Sequence, residues 1–248
     1  MKDIRATPLL VKGRLRVRPA SGPGDLDRLL ALRALCFRGA ATGDDRDNFD
    51  AACDHILIED MAQDSLLGGF RLRRFDGAAI IHSYSAQFYD LAALAAFPAP
   101  MLELGRFCLH PGAPDADVLR LAWAAITRQV DCGGVGLLFG CSSFAGCDAA
   151  RHGDAFALLR DRHGAPARWA PGIKAGEVVR FASLSPAGDP ARGVKGMPAL
   201  LRTYLAMGGW VSNHAVIDRN LGTTHVFTGL EIGRVPAGRA RLLRSAAR

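Results

Sequence analysis

The sequence has few lysines, no paired cysteine motif and no long apolar segment. Only four of its 248 residues are lysine, although 31 are lysine or arginine, so arginine carries nearly all of the positive charge. The six cysteines form no CxxC pair and no Cys/His cluster with zinc spacing, which favours reduced thiols in the interior. No segment approaches the roughly 20 apolar residues that a membrane-spanning helix needs.

Several functional motifs are also missing. The seven histidines show no metal-ligand spacing, and the sequence contains no P-loop, no GxGxxG between a strand and a helix, and no GxSxG elbow. Aromatic residues are not interleaved with arginine in a nucleic-acid-binding pattern. We therefore expect no metal, no nucleotide and no nucleic-acid partner.

The composition is that of a globular protein with a basic surface. Hydrophobic residues make up 49% of the sequence and charged residues 22%, which is enough for a sizeable core. The net charge of +7 favours an anionic partner such as an acidic protein or anionic lipid. No signal-peptide core is present at the N-terminus, so we expect a cytoplasmic protein that also contacts the inner face of the cytoplasmic membrane.

Changes in pattern predict an N-terminal arm over residues 1–13, a single domain over 14–232 and a basic tail over 233–248. Residues 39–50 are polar and are predicted to form a loop or a lid. Apolar periodicity predicts strands over 14–19, 55–60, 66–74, 79–84, 103–110, 135–144, 214–218 and 224–231, and helices after Asp25 and over 88–95, 115–131, 148–163 and 198–207. This order favours an α/β or α+β domain, in which a curved mixed sheet is flanked by helices.

The strand predicted over 103–110 carries Glu103 and Arg106 in an otherwise apolar segment. A charge removed from water is costly unless it is paired, so these two residues require either each other or a site. A structural ion pair is one interpretation. The other is that Glu103 holds or deprotonates a substrate amine, directly or through water, since a free α-amine has a pKa of only about 8.

Three further charged residues lie upstream. Asp50 and Asp54 would share one helical face if their segment is helical, and a cation such as Arg71 or a substrate ammonium would then be needed between them. Helix capping and a solvated loop are the alternative. Arg71 is in phase with Arg73 along the predicted strand, which indicates either a basic docking face or a solvated edge.

These motifs resemble a known family. The sequence Phe-Asp-Ala-Ala-Cys-Asp-His at 49–55, Gly-Phe-Arg-Leu at 69–72 and Glu-Leu-Gly-Arg-Phe-Cys at 103–108 resembles the bacterial ornithine–acyl carrier protein N-acyltransferases, which make lyso-ornithine lipid. Further similarity at 139–148, 198–205 and 215–218 extends the resemblance over roughly residues 30–232. The order and spacing of these motifs are more specific than any one of them.

The resemblance implies a GNAT-like acyltransferase fold, which acyl-homoserine lactone synthases share. It implies transfer of a 3-hydroxyacyl chain from acyl carrier protein to the α-amine of L-ornithine, with a separate O-acyltransferase acting next. The implied catalytic residues are Glu103, Arg106, Asp50, Asp54 and Arg71. Glu103 would accept the proton, Asp50 and Asp54 would hold the second ammonium or the covering loop, and the arginines would order these carboxylates.

Two further sets of residues follow from this expectation. The residues expected to bind the acyl chain and thioester are Phe107, Cys108, Leu109, Cys141, Ser142, Ser143 and Phe144. Those expected to dock the acidic carrier protein are Arg33, Arg38, Arg73 and Arg74. Residues 110–117 lack the basic, glycine-rich pyrophosphate loop of coenzyme A-dependent enzymes, so we expect no tightly bound cofactor and a phosphopantetheine that arrives on the carrier protein.

The sequence leaves two alternatives open. The first is an acyl-homoserine lactone synthase, or an acyltransferase for another amino acid, because Ser212-Asn213-His214 and His225 stand where smaller or acidic residues are expected. The second is a non-catalytic binder of acyl carrier protein or of anionic membrane. The basic tail, with Arg234, Arg239, Arg241, Arg244 and Arg248, suits the second.

Overall fold

Two units are assembled from separate stretches of the chain. The computed structural model describes residues 9–40, 43–112, 116–185 and 189–247. Within these ranges, the first unit draws on Met1–Arg73, Leu104–Gly134 and Ala237–Arg248, and the second on Arg74–Glu103 and Val135–Pro236.

Eleven strands and six α-helices are present in the described residues. The strands are β1 (Leu10–Lys12), β2 (Leu15–Pro19), β3 (Asp54–Asp60), β4 (Ser65–Phe75), β5 (Tyr89–Asp90), β6 (Met101–Leu109), β7 (Leu137–Ala145), β8 (Gly172–Ile173), β9 (Val178–Arg180), β10 (Trp210–Asp218) and β11 (Thr223–Glu231). The helices are α1 (Pro23–Arg38), α2 (Ala116–Cys132), α3 (Gly153–Arg162), α4 (Pro190–Gly196), α5 (Ala199–Ala206) and α6 (Ala237–Ala246). Among these residues, no helix is both long and apolar enough to cross a membrane.

The first unit has the strand order β1-β2-β3-β4-β6, with antiparallel pairing between β1 and β2, β2 and β3, and β3 and β4. Helix α1 packs directly on β4 at Gly69. A Cβ atom on Gly69 would lie 2.4 Å from Leu29 of α1 and 2.7 Å from the carbonyl oxygen of Ile56, so only glycine permits this contact. Gly69, near the start of the predicted strand, therefore sets the distance between helix and sheet.

The second unit has the strand order β6-β7-β11-β10-β9. Strands β6 and β7 are parallel, and their registered pairs run from Met101 with Leu137 to Glu103 with Phe139. Strands β7 and β11 pair antiparallel over their full lengths. Alternating side chains of β7 and β11, together with side chains of β10, contribute to two hydrophobic cores. Phe139, Phe227 and Trp210 belong to one, and Phe144 and Val226 to the other.

Strand β10 contains a bulge. Val211 is registered with Thr228 and Ala215 with Val226, so residues 212–214 lie opposite the single residue Phe227. A bulge of this kind bends the strand and redirects its side chains. His214 lies within it and is fully buried.

The predicted mixed sheet with flanking helices is confirmed, but two predicted elements are wrong. The strand over 79–84 is a 3₁₀ helix at Gly77–His82, because Gly77 adopts a φ of +53° and turns the chain directly after β4. The helix over 88–95 is the short strand β5 and a 3₁₀ helix at Ala92–Ala96. The Asp90 carboxylate accepts a hydrogen bond from the backbone N–H of Ala92 (3.0 Å), a local contact that competes with helical pairing.

The predicted arm and tail contain regular structure in the described residues. Part of the arm forms β1, and residues 1–8 lie outside the described residues. Part of the tail forms α6, which packs on α2. Arg244 donates to both carboxylate oxygens of Asp131 at 2.9 and 3.0 Å. The prediction of a single domain over 14–232 stays a prediction.

Substitution of Gly229 by alanine tests the packing of the second unit. A Cβ atom there would lie 2.4–2.8 Å from three ring atoms of buried Trp210, and that ring has no flexible end to move aside. We expect G229A to lower the free energy of unfolding by about 1–3 kcal/mol in urea denaturation. Gly233→Ala is the control, since its Cβ atom would meet nothing within 4 Å. Equal unfolding midpoints for the two variants would contradict this packing.

Candidate active site

A buried network of arginines and aspartates forms the first candidate region, entirely within the first unit. Arg33 comes from α1, Arg71 from β4 and Arg106 from β6, and none of their side chains is more than 7% exposed. The carboxylates come from the loop before β3. They are Asp45, Asp47 and Asp50, which accept hydrogen bonds of 2.6–3.1 Å from these three arginines.

Each carboxylate bridges more than one arginine. Asp45 accepts from Arg33 Nε (3.1 Å), Arg106 Nε (2.9 Å) and the partly exposed Arg38 Nε (2.9 Å). Asp50 Oδ1 accepts from Arg33 Nη1 at 2.7 Å and from Arg71 Nη1 at 2.6 Å. Charge-assisted hydrogen bonds to arginine are the strong class, so the network fixes residues 45–50 against the sheet.

The network shifts the acidity of its members. Burial raises the pKa of Asp50, but the hydrogen bond and charge of Arg33, the backbone N–H of Asp47 and the hydrogen bond of Arg71 outweigh it and hold the pKa at about 2. Burial lowers the pKa of Arg71, and the carboxylates of Asp47 and Asp50 more than reverse this, so its pKa is raised. Both groups remain charged at neutral pH.

Arg106 adopts a backbone conformation that is rare for a residue with a side chain. Its φ of +51° lies in the left-handed region, directly after Gly105 within β6. Such a conformation costs on the order of 1–3 kcal/mol and persists only where surrounding contacts enforce it. The bonds from Arg106 to Asp45 and Asp47 supply that enforcement.

The structure corrects two sequence predictions in this region. Asp50 and Asp54 do not share a helical face, because a 3₁₀ turn at Asp50–Ala52 is followed at once by β3, which leaves Asp50 buried and Asp54 exposed. Arg33 has no exposed surface, so its predicted role in carrier-protein docking is wrong. Asp45 and Asp47 were missed because they lie in an aperiodic loop. Their only signal was a high density of aspartate beside arginine.

Glu103 forms the second candidate region, within the second unit. It is 5% exposed and lies at the last registered pair between β6 and β7. Its carboxylate accepts from the backbone N–H of Tyr84 (3.0 Å), the backbone N–H of Ser85 (2.8 Å) and the Ser85 hydroxyl (2.7 Å). These donors hold both oxygens of a buried carboxylate in place.

Only part of the predicted acyl-binding set lies near Glu103. Cys141 contacts the Ser85 hydroxyl at 3.6 Å. Ser142 and Phe144 point to the opposite face of β7, where Ser142 accepts from the Thr228 hydroxyl (2.9 Å) and Phe144 packs on Phe156. Ser142 and Phe144 thus lie on the face of β7 opposite Cys141, and their contribution to acyl binding stays a prediction.

The remaining predicted acyl-binding residues belong to the first unit, apart from exposed Ser143, which shares the β7 face of Cys141. Phe107 stacks on Phe70 at a centroid distance of 5.9 Å, and Cys108 is buried. The carbonyl oxygen of Leu109 accepts from the Cys36 thiol at 3.3 Å. Their contribution to acyl binding stays a prediction.

A buried polar cluster also occupies the second unit. The Tyr89 hydroxyl lies 2.9 Å from the carbonyl oxygen of His225 and 3.0 Å from its Nδ1 atom. The rings of His214 and His225 lie against the Tyr89 ring at centroid distances of 5.2 and 5.7 Å. Tyr89 also borders a cavity of about 310 Å³ that Ala86 and Lys174 help to line. The sequence flagged both histidines only as departures from the family pattern.

Comparison with known proteins gives these two regions a context. Residues 33–124 match the family described as "Acetyltransferase (GNAT) domain". The chain is 33% identical to the L-ornithine N(alpha)-acyltransferase of Rhodobacter capsulatus, over 73% of this chain and 71% of the relative. It is 30% identical to the enzyme of the same name from Rhizobium meliloti, over 94% and 86%.

A solved structure agrees at the level of the fold. FeeM, an N-acyl amino acid synthase from uncultured soil microbes, superposes with a TM-score of 0.52 at 10% identity, over 90% of this chain and 94% of that chain. Fold, family match and relatives define this chain as a GNAT-fold N-acyltransferase. It belongs to the L-ornithine Nα-acyltransferase family, which confirms the resemblance drawn from its motifs.

Replacement of Asp50 by asparagine tests the arginine–aspartate network through its pH dependence. The pKa of Asp50 is lowered from 3.8 to about 2 on folding. Its ionisation therefore stabilises the fold above about pH 4, and this contribution is lost as pH falls through about 2. We expect D50N to unfold more easily than wild type at pH 7, by about 2 kcal/mol or more, with a difference that shrinks towards pH 2.

Urea titrations at pH 7, 4 and 2.5 measure this difference. Asp54→Asn is the matched control, because Asp54 is exposed and should change the unfolding free energy by less than about 0.5 kcal/mol. A D50N effect that does not depend on pH would contradict the assignment.

Proposed function

We propose that the chain transfers a 3-hydroxyacyl group from acyl carrier protein to the α-amine of L-ornithine and so makes lyso-ornithine lipid. The names of relatives that share most of their length with this chain support ornithine as the acceptor. The observation that carries the mechanism is the buried carboxylate of Glu103, fixed by three donors.

The reaction needs a neutral amine. The α-nitrogen attacks the thioester carbonyl carbon, a C–N bond forms, and the C–S bond breaks with release of the phosphopantetheine thiol. An amine that binds as the ammonium first loses one proton to Glu103, directly or through a water molecule, and after attack a second proton passes from the nitrogen to the departing sulfur. Since the α-amine has a pKa of only about 8, a weak base such as a fixed carboxylate is sufficient to accept its proton.

The arginine–aspartate network has a positioning role in this proposal. Asp50 already accepts hydrogen bonds from Arg33 and Arg71. Of its two predicted roles, we therefore assign it that of holding the loop, and not that of binding the second ammonium of ornithine. Arg71 and Arg106 order these carboxylates. The loop over 43–49 is thereby fixed, although its sequence contains no helix or strand.

The donor arrives as part of an acidic protein. Its phosphopantetheine is carried in covalently, so the enzyme itself needs no tightly bound cofactor. Arg38 and Arg74 are exposed, and Arg73 is half-buried, so they remain candidates for the docking face. The product has a free 3-hydroxyl, which a separate O-acyltransferase would acylate next. Because the product is an amphiphile, we place the enzyme in the cytoplasm beside the inner membrane surface.

Replacement of Glu103 by glutamine tests the proton acceptor. Loss of a general base typically costs about 10²–10⁴-fold in rate. We also expect the residual rate of E103Q to rise about tenfold per pH unit below pH 8, because only amine already neutral in solution can then react. Ornithine-dependent thiol release from 3-hydroxyacyl carrier protein measures both effects between pH 6 and 9.

Glu177→Gln is the matched control, since Glu177 is half-exposed and pairs with Arg219 on the surface. A purely structural Glu103 would lower the rate without changing the slope of the pH profile. Turnover of E103Q within about threefold of wild type, or an absence of ornithine-dependent thiol release by wild type, would sink the proposal.

Charge reversal at Arg74 tests carrier-protein docking. Arg74 is 46% exposed, and opposite charge across an interface mainly raises the rate of encounter at low salt. We expect R74E to raise the KM for carrier protein severalfold at low ionic strength, with little change in kcat and a smaller effect at 0.5 M salt. R241E on α6 is the control. Equal effects of the two variants would place docking elsewhere.

A further inference from the structure

The hydrogen bonds around His225 fix which of its ring nitrogens carries the proton. The Tyr89 hydroxyl has one hydrogen, and a carbonyl oxygen can only accept, so the hydroxyl donates to the carbonyl oxygen of His225. The 3.0 Å contact with Nδ1 is then a bond in which Nδ1–H donates to the Tyr89 oxygen. This tautomer leaves Nε2 as a bare acceptor.

Nε2 of His225 accepts no hydrogen bond from the residues that the structure describes, although His225 is only 2% exposed. A buried acceptor without a donor costs about 1–3 kcal/mol and calls for a partner. Burial lowers the pKa of His225 to about 4, with Asp218 raising it and His214 lowering it, so the ring is neutral at pH 7. A neutral ring suits an uncharged donor.

The surroundings of His225 are aromatic. Phe88 lies edge-on to its ring at 4.8 Å, and Tyr89 packs on both His225 and Phe227. This wall suits an acyl chain that carries one polar group.

His225 also lies within a short reach of Glu103. The Ser85 hydroxyl donates to Glu103 and also contacts the Cys141 thiol. On the neighbouring strand, Cys141 is registered with Phe227, which lies two residues from His225 on β11. Cys141 and His225 are thus diagonal neighbours across an antiparallel pair, about 7–8 Å apart. In a 3-hydroxyacyl thioester the hydroxyl-bearing carbon is two bonds from the reacting carbonyl carbon, so residues of β7 and β11 on this one face can contact both groups.

On the basis of the proposed function, we propose that Nε2 of His225 accepts a hydrogen bond from the 3-hydroxyl of the acyl chain and so selects 3-hydroxyacyl donors over unsubstituted ones. Tyr89 acts as a positioning residue, since its hydroxyl fixes the tautomer. Of this cluster, Tyr89 lines the cavity of about 310 Å³.

The test compares kcat/KM for carrier proteins loaded with a 3-hydroxyacyl chain and with an unsubstituted chain of equal length. His225→Phe should lower turnover of the 3-hydroxyacyl donor by about 10–100-fold and change turnover of the unsubstituted donor by less than about threefold. His225→Gln is the conservative variant, because its amide oxygen can stand near Nε2, and it should retain most of the discrimination. The proposal is supported if H225F loses the discrimination between the two donors and H225Q retains it.

A second measurement needs no substitution, in case H225F does not fold. A 3-oxoacyl donor presents an acceptor where the hydroxyl presents a donor, so wild type should turn it over no faster than the unsubstituted chain. Turnover of the 3-oxoacyl donor at the rate of the 3-hydroxyacyl donor overturns the proposal. So does an H225F effect confined to the KM for ornithine, which would assign His225 to the amine. No N-acylornithine from wild type with any donor overturns the proposed function itself, and this inference with it.

Discussion

Charge in the interior of this protein is tolerated only where it is bonded, and that constraint determines the shape of both candidate regions. In the first unit, one helix and two strands supply three buried arginines, and one segment before β3 supplies the three aspartates that accept their hydrogen bonds. These residues are Arg33, Arg71 and Arg106, and Asp45, Asp47 and Asp50. Removal of one member leaves a buried charge without its partner, which costs far more than the pair gains. The loop is therefore held by electrostatics rather than by its own backbone pairing.

Glu103 meets the same constraint in a different way. Two backbone N–H groups and one hydroxyl of the second unit hold both oxygens of its carboxylate in place. In the proposed reaction, the substrate amine approaches this fixed carboxylate. The 3₁₀ turn at Ser85–Gln87 that supplies these donors is thus as much a part of the site as Glu103 itself.

Strand and helix periodicity made most of the fold predictable, because β6, β7 and β11 are apolar runs bounded by turn residues. The errors at 79–84 and 88–95 share one cause, since a short apolar run is compatible with a strand, a helix or a 3₁₀ turn, and here the turn at Gly77 and the side-chain bond of Asp90 decide. At the site, Glu103 and Arg106 stood out as charges in an otherwise apolar strand. Asp45, Asp47 and the tautomer of His225 did not, because their significance comes from partners as far as 61 residues away in sequence for Asp45 and 136 for His225.

The most direct test of this account is the site of acylation on the product. Purified enzyme, 3-hydroxyacyl carrier protein and a pool of free amino acids would be incubated together, and the acylated product would be located by tandem mass spectrometry. The account predicts ornithine acylated on its α-nitrogen. Acylation of the δ-nitrogen, a different amino acid or a lactone would contradict it.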